Sequence, residues 1–279
     1  MEKIYISLKT LEKLKSISVF HPRVSKYLIN GVPHIIKKLD GSRTYNDNVI
    51  YTIEELDNNS DILPQEFCIP DYLVETEEGI RAFATPEILN SLGLDIVLSS
   101  PDFTHKEKIN YLKEFGALLR KCDELRKVKK MRSFAIGDIQ EENILVEPKT
   151  KKIHVIDMDT CRICNGCSSQ AKFLTPYSLA SNVPRKYRVR GNFCYIETSK
   201  ESDLFCYIIM ILNYLAGENI SNINLNDFYS YLDRLDYIGI NPELLSIFYG
   251  IVQNKENKNP DYLLESIDEK ILSKSRYFT

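Results

Sequence analysis

Asp138 and Asn143 stand five residues apart in "AIGDIQEENILV" (135–146), directly ahead of a run of strand-forming residues. A second strand-like run, "IHVID", ends in Asp157, and the "EPKTKK" between the two is charged and turn-forming. A regular antiparallel hairpin centred near Thr150 opposes residues whose numbers sum to about 300, which predicts that Asn143 faces Asp157. An amide oxygen and a carboxylate side by side suit a hard cation such as Mg²⁺. That ion is usually held by one or two carboxylates together with phosphate oxygens and water. Asp138, a few residues upstream, supplies a further carboxylate that could orient a hydroxyl or accept its proton.

Other residue types with chemical potential are less organised. Cys161, Cys164 and Cys167 in "CRICNGC" have a spacing that thiolate ligands of zinc can use, with Cys194 or His154 to complete a set. Free thiols are the plainer expectation for three cysteines without an obvious fourth. The histidines His21, His34, His105 and His154 are scattered, and neither H-E-x-x-H nor G-x-S-x-G occurs, so zinc-protease and α/β-hydrolase chemistry have no foundation. "PRKYRVR" (184–190) is a basic-aromatic patch, thin support for nucleic-acid binding, which is not expected.

The elements that must position the triad follow from periodicity and punctuation. "KYLING" and "PHIIKKL" predict two strands around a turn at Asn30-Gly31. "DNVIYTIEELD" (47–57) predicts a helix from Ile50, Ile53 and Leu56. "FCIPDYLVET" and "IRAFATPEI" read as a second hairpin across "EEG". Beyond Pro86 the texture turns helical. "HKEKINYLKEFGALLRKCDELRKV" has one apolar face, and the stretch from about Ser202 to Leu215 is apolar nearly all round, as a buried central helix should be. "INLNDFYSYLDRL", "NPELLSIFYGIV" and "NPDYLLESIDEKIL" predict three more helices. The expected architecture is α+β, with a small β-rich part over residues 1–85 and a larger helical part over 86–279. A connector is expected near 81–88, and the candidate loop and hairpin span 134–159.

These segments, in this order, resemble the protein kinases and kinase-like phosphotransferases. "IGDIQEEN" is similar to the catalytic-loop pattern H-R-D-L-x-x-x-N, and "VIDMD" to the D-F-G segment. The form G-D-x-x-x-x-N … I-D-x-D also looks like the aminoglycoside- and choline-kinase type. The resemblance implies a two-lobed protein kinase-like fold with ATP and Mg²⁺ as cofactors. Asp138 would be the catalytic base, and Asn143 and Asp157 the Mg²⁺ ligands. "HIIKKL" is similar to the V-A-I-K segment, which makes Lys37 the phosphate-pairing lysine, with Glu54 or Glu55 as its helix partner. "RAFATPEI" resembles the hinge that bonds adenine. "ESDLFCYIIMILNYLAG" resembles the buried central helix, whose first-turn Asp203 would anchor the catalytic loop, although an acid there also serves as a helix cap.

Differences from the family pattern carry a second expectation. Residues 1–78 contain only Gly31 and Gly41, so no G-x-G-x-x-G loop is present. Ile136 and Gly137 replace the His-Arg pair, and Asp159 stands where the D-F-G glycine would be. A catalytically weak pseudokinase acting as a nucleotide-responsive binding module is therefore the alternative to an active phosphotransferase.

Bulk properties fit either. The chain has 279 residues with a net charge of −3, which gives no overall excess of positive charge. Positive charge is concentrated locally: residues 1–40 hold eight Lys/Arg against three Asp/Glu, and "RKCDELRKVKKMR" holds seven against two. Solvated helix faces are the plain reading of such runs. No secretory signal opens the chain, and its longest apolar run, "LFCYIIMIL", is too short to span a bilayer. Seven irregularly spaced cysteines suit a reducing compartment. The expectation is a cytoplasmic protein with a nucleotide ligand and a protein or small-molecule phosphate acceptor, not a membrane protein.

Overall fold

The computed structural model describes residues 1–18, 21–39, 41–163, 198–220, 223–253 and 258–276. It is a mixed α+β structure, with a six-stranded mixed sheet formed by the N-terminal part and a helical C-terminal part.

The chain begins with β1 (Glu2–Tyr5), the short helix α1 (Leu8–Lys13) and β2 (Ser16–Ser18), none of which the sequence reading anticipated. The predicted hairpin follows as β3 (His21–Ile29) and β4 (Val32–Lys38). Its turn residues Asn30 and Gly31 sit at φ 52° and 81°, the left-handed pair that matches strand twist in a two-residue turn. Helix α2 (Arg43–Asn58) is capped by Ser42, whose hydroxyl accepts the Tyr45 N–H, and it buries Val49, Ile53 and Leu56. Strands β5 (Tyr72–Thr76) and β6 (Gly79–Pro86) form the second hairpin. Strand order is β1-β5-β6-β4-β3-β2, with β1 and β5 parallel and every other pair antiparallel.

Alternation along these strands divides the sheet into two faces. Ile29, Ile36, Val74, Ala82 and Ala84 pack with Ile6 and Leu11 of the N-terminal segment on one face. Leu39, Leu73 and Phe83 pack with Val49 and Ile53 of α2 on the other, the face that also carries Ile35 and Lys37. Strand β6 continues to Pro86, where the composition shift falls, so most of the segment 81–88 expected to connect the two parts is strand.

A short strand β7 (Leu92–Gly93) and helix α3 (Leu94–Ser99) lead into α4 (His105–Leu125), which opens with a full capping box between Thr104 and Glu107. Strands β8 (Ile144–Glu147) and β9 (Lys152–Val155) follow and join β7 in a small antiparallel sheet. Helix α5 (Lys200–Ala216) is the centre of the larger core: Tyr207 through Leu212 are all 0 % exposed. Around it lie α6 (Leu225–Tyr237), α7 (Pro242–Gln253) and α8 (Glu269–Ser275). The last predicted helix is divided. Asp261–Ser266 forms a 3-10 turn, and Asp268 restarts the chain as α8 by capping the Ile271 N–H. Among the described residues no helix is long and apolar enough to cross a membrane.

Candidate active site

The hairpin that carries the triad forms, one residue out of the predicted register. Ile144 opposes Val155 and Glu147 opposes Lys152, so the position opposite Asn143 is Ile156, whose N–H donates to the Asn143 carbonyl (2.9 Å). Asp157 lies one step further on. It adopts a left-handed conformation, φ 62° and ψ 40°, that turns the chain into a 3-10 turn over Met158–Thr160. Asn143 is therefore not paired with Asp157 across the ladder. Its Nδ2 donates to the Asp138 carbonyl (2.8 Å) and to Asp138 Oδ2 (3.3 Å), which leaves Oδ1 as the oxygen offered to a ligand.

Three tethers hold this loop. Ala135 and Arg162 exchange backbone hydrogen bonds, 2.9 Å each, closing the base of the segment that contains Asp138, Asn143 and Asp157. Asp203, on the first turn of α5, reaches back to accept the N–H groups of Ile136 (2.8 Å) and Gly137 (3.0 Å). Its role at the helix end is not a cap, because Ser199 and Ser202 already form the capping box. Arg126 adds a guanidinium 3.5 Å from Asp203 and bonds the Phe134 carbonyl at 2.7 Å. One member of the basic run is thus a structural brace for the loop. Third, the Asp138 N–H donates to Thr160 Oγ1 (3.3 Å), joining the loop to the turn after Asp157.

Lys37 comes from β4, where it opposes Val24 and Phe83 on the neighbouring strands. Its ammonium forms an ion pair with Asp157 and lies 3.1 Å from Asp159. Its hydrogen bonds and ion pairs go to these aspartates and not to Glu54 or Glu55, the expected helix partners. The strand delivers the lysine to the 157–159 turn, and the nearest carboxylates there are the two aspartates. Burial disfavours the ammonium, but the charges of Asp159 and Asp157 outweigh it and hold Lys37 protonated well above the ordinary lysine range.

The electrostatics of the aspartates differ. Burial, then the negative charge of Asp157, raises Asp138 to about 6, while the Asn143 bond and Lys37 pull the other way. Asp159 is raised as well, chiefly by burial and next by Asp157, with Lys37 opposing. Asp203 is raised to about 7 by burial despite its two N–H bonds and Arg126.

Lys37, Asn143 and Asp157 line one cleft of about 590 Å³ between the sheet and the helical part. Val24, Ile35, Phe83 and Thr85 form its sheet wall, and Leu145, Ile156 and Met158 face them from below. Pro86, Glu87 and Ile88, from the segment similar to a hinge, lie along its edge, where Glu87 pairs with Lys26. The cleft lining mixes these apolar side chains with charged ones, Lys37 and Asp157 among them.

Among the described residues no group of three or more His, Cys, Asp or Glu side chains is arranged to hold a metal ion. The donor set of Asp157 carboxylate and Asn143 Oδ1 still fits Mg²⁺, which draws its remaining ligands from phosphate and water. Of the zinc candidates, Cys164, Cys167 and Cys194 lie outside the described residues, as does the 184–190 patch. Cys161 is a buried free cysteine whose thiol is pushed up by burial, and His154 bonds Glu147 at 2.6 Å.

Asp159, Thr160, Gly137 and Arg126 are the parts that motif reading passed over. The second acid of "DMD" was the available signal for Asp159, seen only as a displaced glycine. Compared with protein-family models and with curated protein sequences, the chain matches none.

Proposed function

We propose that this protein is a phosphotransferase of the protein kinase-like type, using ATP and Mg²⁺ to phosphorylate a hydroxyl on a protein or small molecule. The observation that carries the reading is the convergence of Lys37, Asn143 and Asp157 on one cleft, with Asp138 bonded to Asn143 beside it. The order of parts supports it too. A lysine-bearing strand is followed by a helix packed behind it, a hairpin, a connector, and then a loop-hairpin-turn unit anchored by a buried helix. The two-lobed kinase-like arrangement, with a division near residue 85, belongs to the same proposal.

In this reading Lys37 binds the α- and β-phosphates, and Asp157 with Asn143 Oδ1 holds the cation. When bound, Mg·ATP supplies the transferable phosphoryl group and a positive charge that offsets the charge developing on it. Asp138 orients the acceptor hydroxyl and takes its proton as the oxygen bonds to phosphorus and ADP leaves. A carboxylate raised toward 6 is better matched to accepting that proton than one at its ordinary value.

Calorimetry and a turnover assay with labelled ATP test the assignment together. Asp138→Ala should keep Mg·ATP affinity and lose turnover, whereas Asp157→Ala should lose the Mg²⁺-dependent part of binding. A wild-type protein that does not bind Mg·ATP would defeat the proposal.

One observation favours the second reading, a nucleotide-responsive binding module. Among the described residues neither Gly31 nor Gly41 lines the cleft, and no glycine of the sheet stands where a glycine-rich loop would cradle phosphates. Binding without turnover, unchanged in Asp138→Ala, is the result that would select it.

A further inference from the structure

We infer that Asp159 is the positioning residue for Lys37, taking the place of a helix carboxylate, and that it divides this task from Asp157 by depth in the structure. The inference rests on the nucleotide-site reading above.

Both aspartates meet the same ammonium, but they are not equivalent. The Asp159 side chain is 2 % exposed, and the Lys37 ammonium lies 3.1 Å from it. The Asp157 side chain is 28 % exposed and lines the cleft. A carboxylate drawn onto a cation offers less of its charge to a neighbouring lysine. Asp157 is the one free to turn toward the cleft. Asp159 has no such freedom, because a buried carboxylate stripped of its cation is strongly disfavoured. Lys37 therefore stays with Asp159 whichever ligand Asp157 takes, and its Nζ remains aimed into the cleft. The left-handed turn at Asp157 makes this possible by bringing two residues, two positions apart, onto the same lysine. Glu54 and Glu55, on α2, are not among the hydrogen-bond or ion-pair partners of Lys37 and are not needed.

Two measurements on the same variants test this. In urea denaturation without nucleotide, Lys37→Met should destabilise the protein, and adding Asp159→Asn should restore part of the loss, since the pair is then removed together. No coupling between the two positions overturns the inference. In calorimetry with Mg·ATP, Asp159→Asn should weaken binding by about 10- to 100-fold, the usual penalty for losing a residue that orients a ligating group. The same change made on top of Lys37→Met should have no further effect. Additive losses would mean a general structural role and overturn the inference. Should Asp159→Asn fail to fold, Glu54→Gln and Glu55→Gln decide: wild-type affinity in both supports it, and a tenfold loss in either sinks it. If the wild type binds no Mg·ATP, the nucleotide reading has failed, and the denaturation coupling alone shows whether Asp159 holds Lys37.

Discussion

Gly137, inside the candidate catalytic loop, sits at φ 93°, and a Cβ there would meet the Thr160 carbonyl oxygen at 2.8 Å. A side chain is excluded twice, by backbone conformation and by the close approach of the 158–160 turn. Gly137→Ala should cost about 1–3 kcal/mol by chemical denaturation and displace Asp138, because Thr160 also accepts the Asp138 N–H. Asp203 makes a separate prediction about pH. Its folded-state value of about 7 exceeds the ordinary carboxylate value near 4, so between those limits the folded protein binds a proton that the unfolded chain releases. The Asp203 contribution to stability is thus greatest below about pH 4, falls as pH rises toward 7, and is constant above. The difference between wild type and Asp203→Asn in denaturation midpoints, followed from pH 4 to 8, should show that slope. A flat difference would place the proton elsewhere.

At the scale of elements, what the sequence made legible was whatever local pattern decides. The Asn30-Gly31 hairpin, the β5–β6 hairpin, α4 and α5 all follow from periodicity and turn chemistry. Buried apolar α5 came within two residues of its observed start and one of its end. What stayed hidden depends on chain segments meeting across long separations. Strand β1 was missed because it pairs in parallel with β5, some seventy positions away, and has no local turn to announce it. The one-residue slip at Asn143 has a similar origin. The register of β8 and β9 is set by the turn at Glu147–Lys152 together with the docking of Glu66 and Cys68 on Val155, and only the first is local. The lysine partner was missed for the same reason, since Glu54 is close in sequence and Asp159 is not. An element-level prediction follows for α5. Leu212→Ala should cost about 2–5 kcal/mol, as for other fully buried leucines, and reduce the amount of folded protein at 37 °C.

For the whole molecule, the cleft lies between two parts that are also joined by a shared core, in which Leu56 and Phe67 pack with the helices, and by the bonds of Glu66 and Cys68 to Val155. Its walls are the sheet on one side and the loop-hairpin unit on the other, so a ligand that fills it links both. With Mg·ATP present at about 100 times its dissociation constant, mass action should add about 2.7 kcal/mol to the unfolding free energy. A thermal-shift series with ATP, with and without Mg²⁺, should show a higher Tm with the metal. The metal-dependent increment should vanish in Asp157→Ala.

Lys37 and Asp157 are 120 positions apart in the chain, yet they form an ion pair and line the same cleft. A contact of that span forms only after the chain has closed a very large loop, so the site is a late product of folding. Asp159 then has a history as well as a place. It meets its lysine only when β4 reaches the 157–159 turn, 122 positions away in the chain. A contact made that late adds little to the folding barrier, so Lys37→Met should speed unfolding more than it slows refolding, as read from the two arms of a stopped-flow chevron.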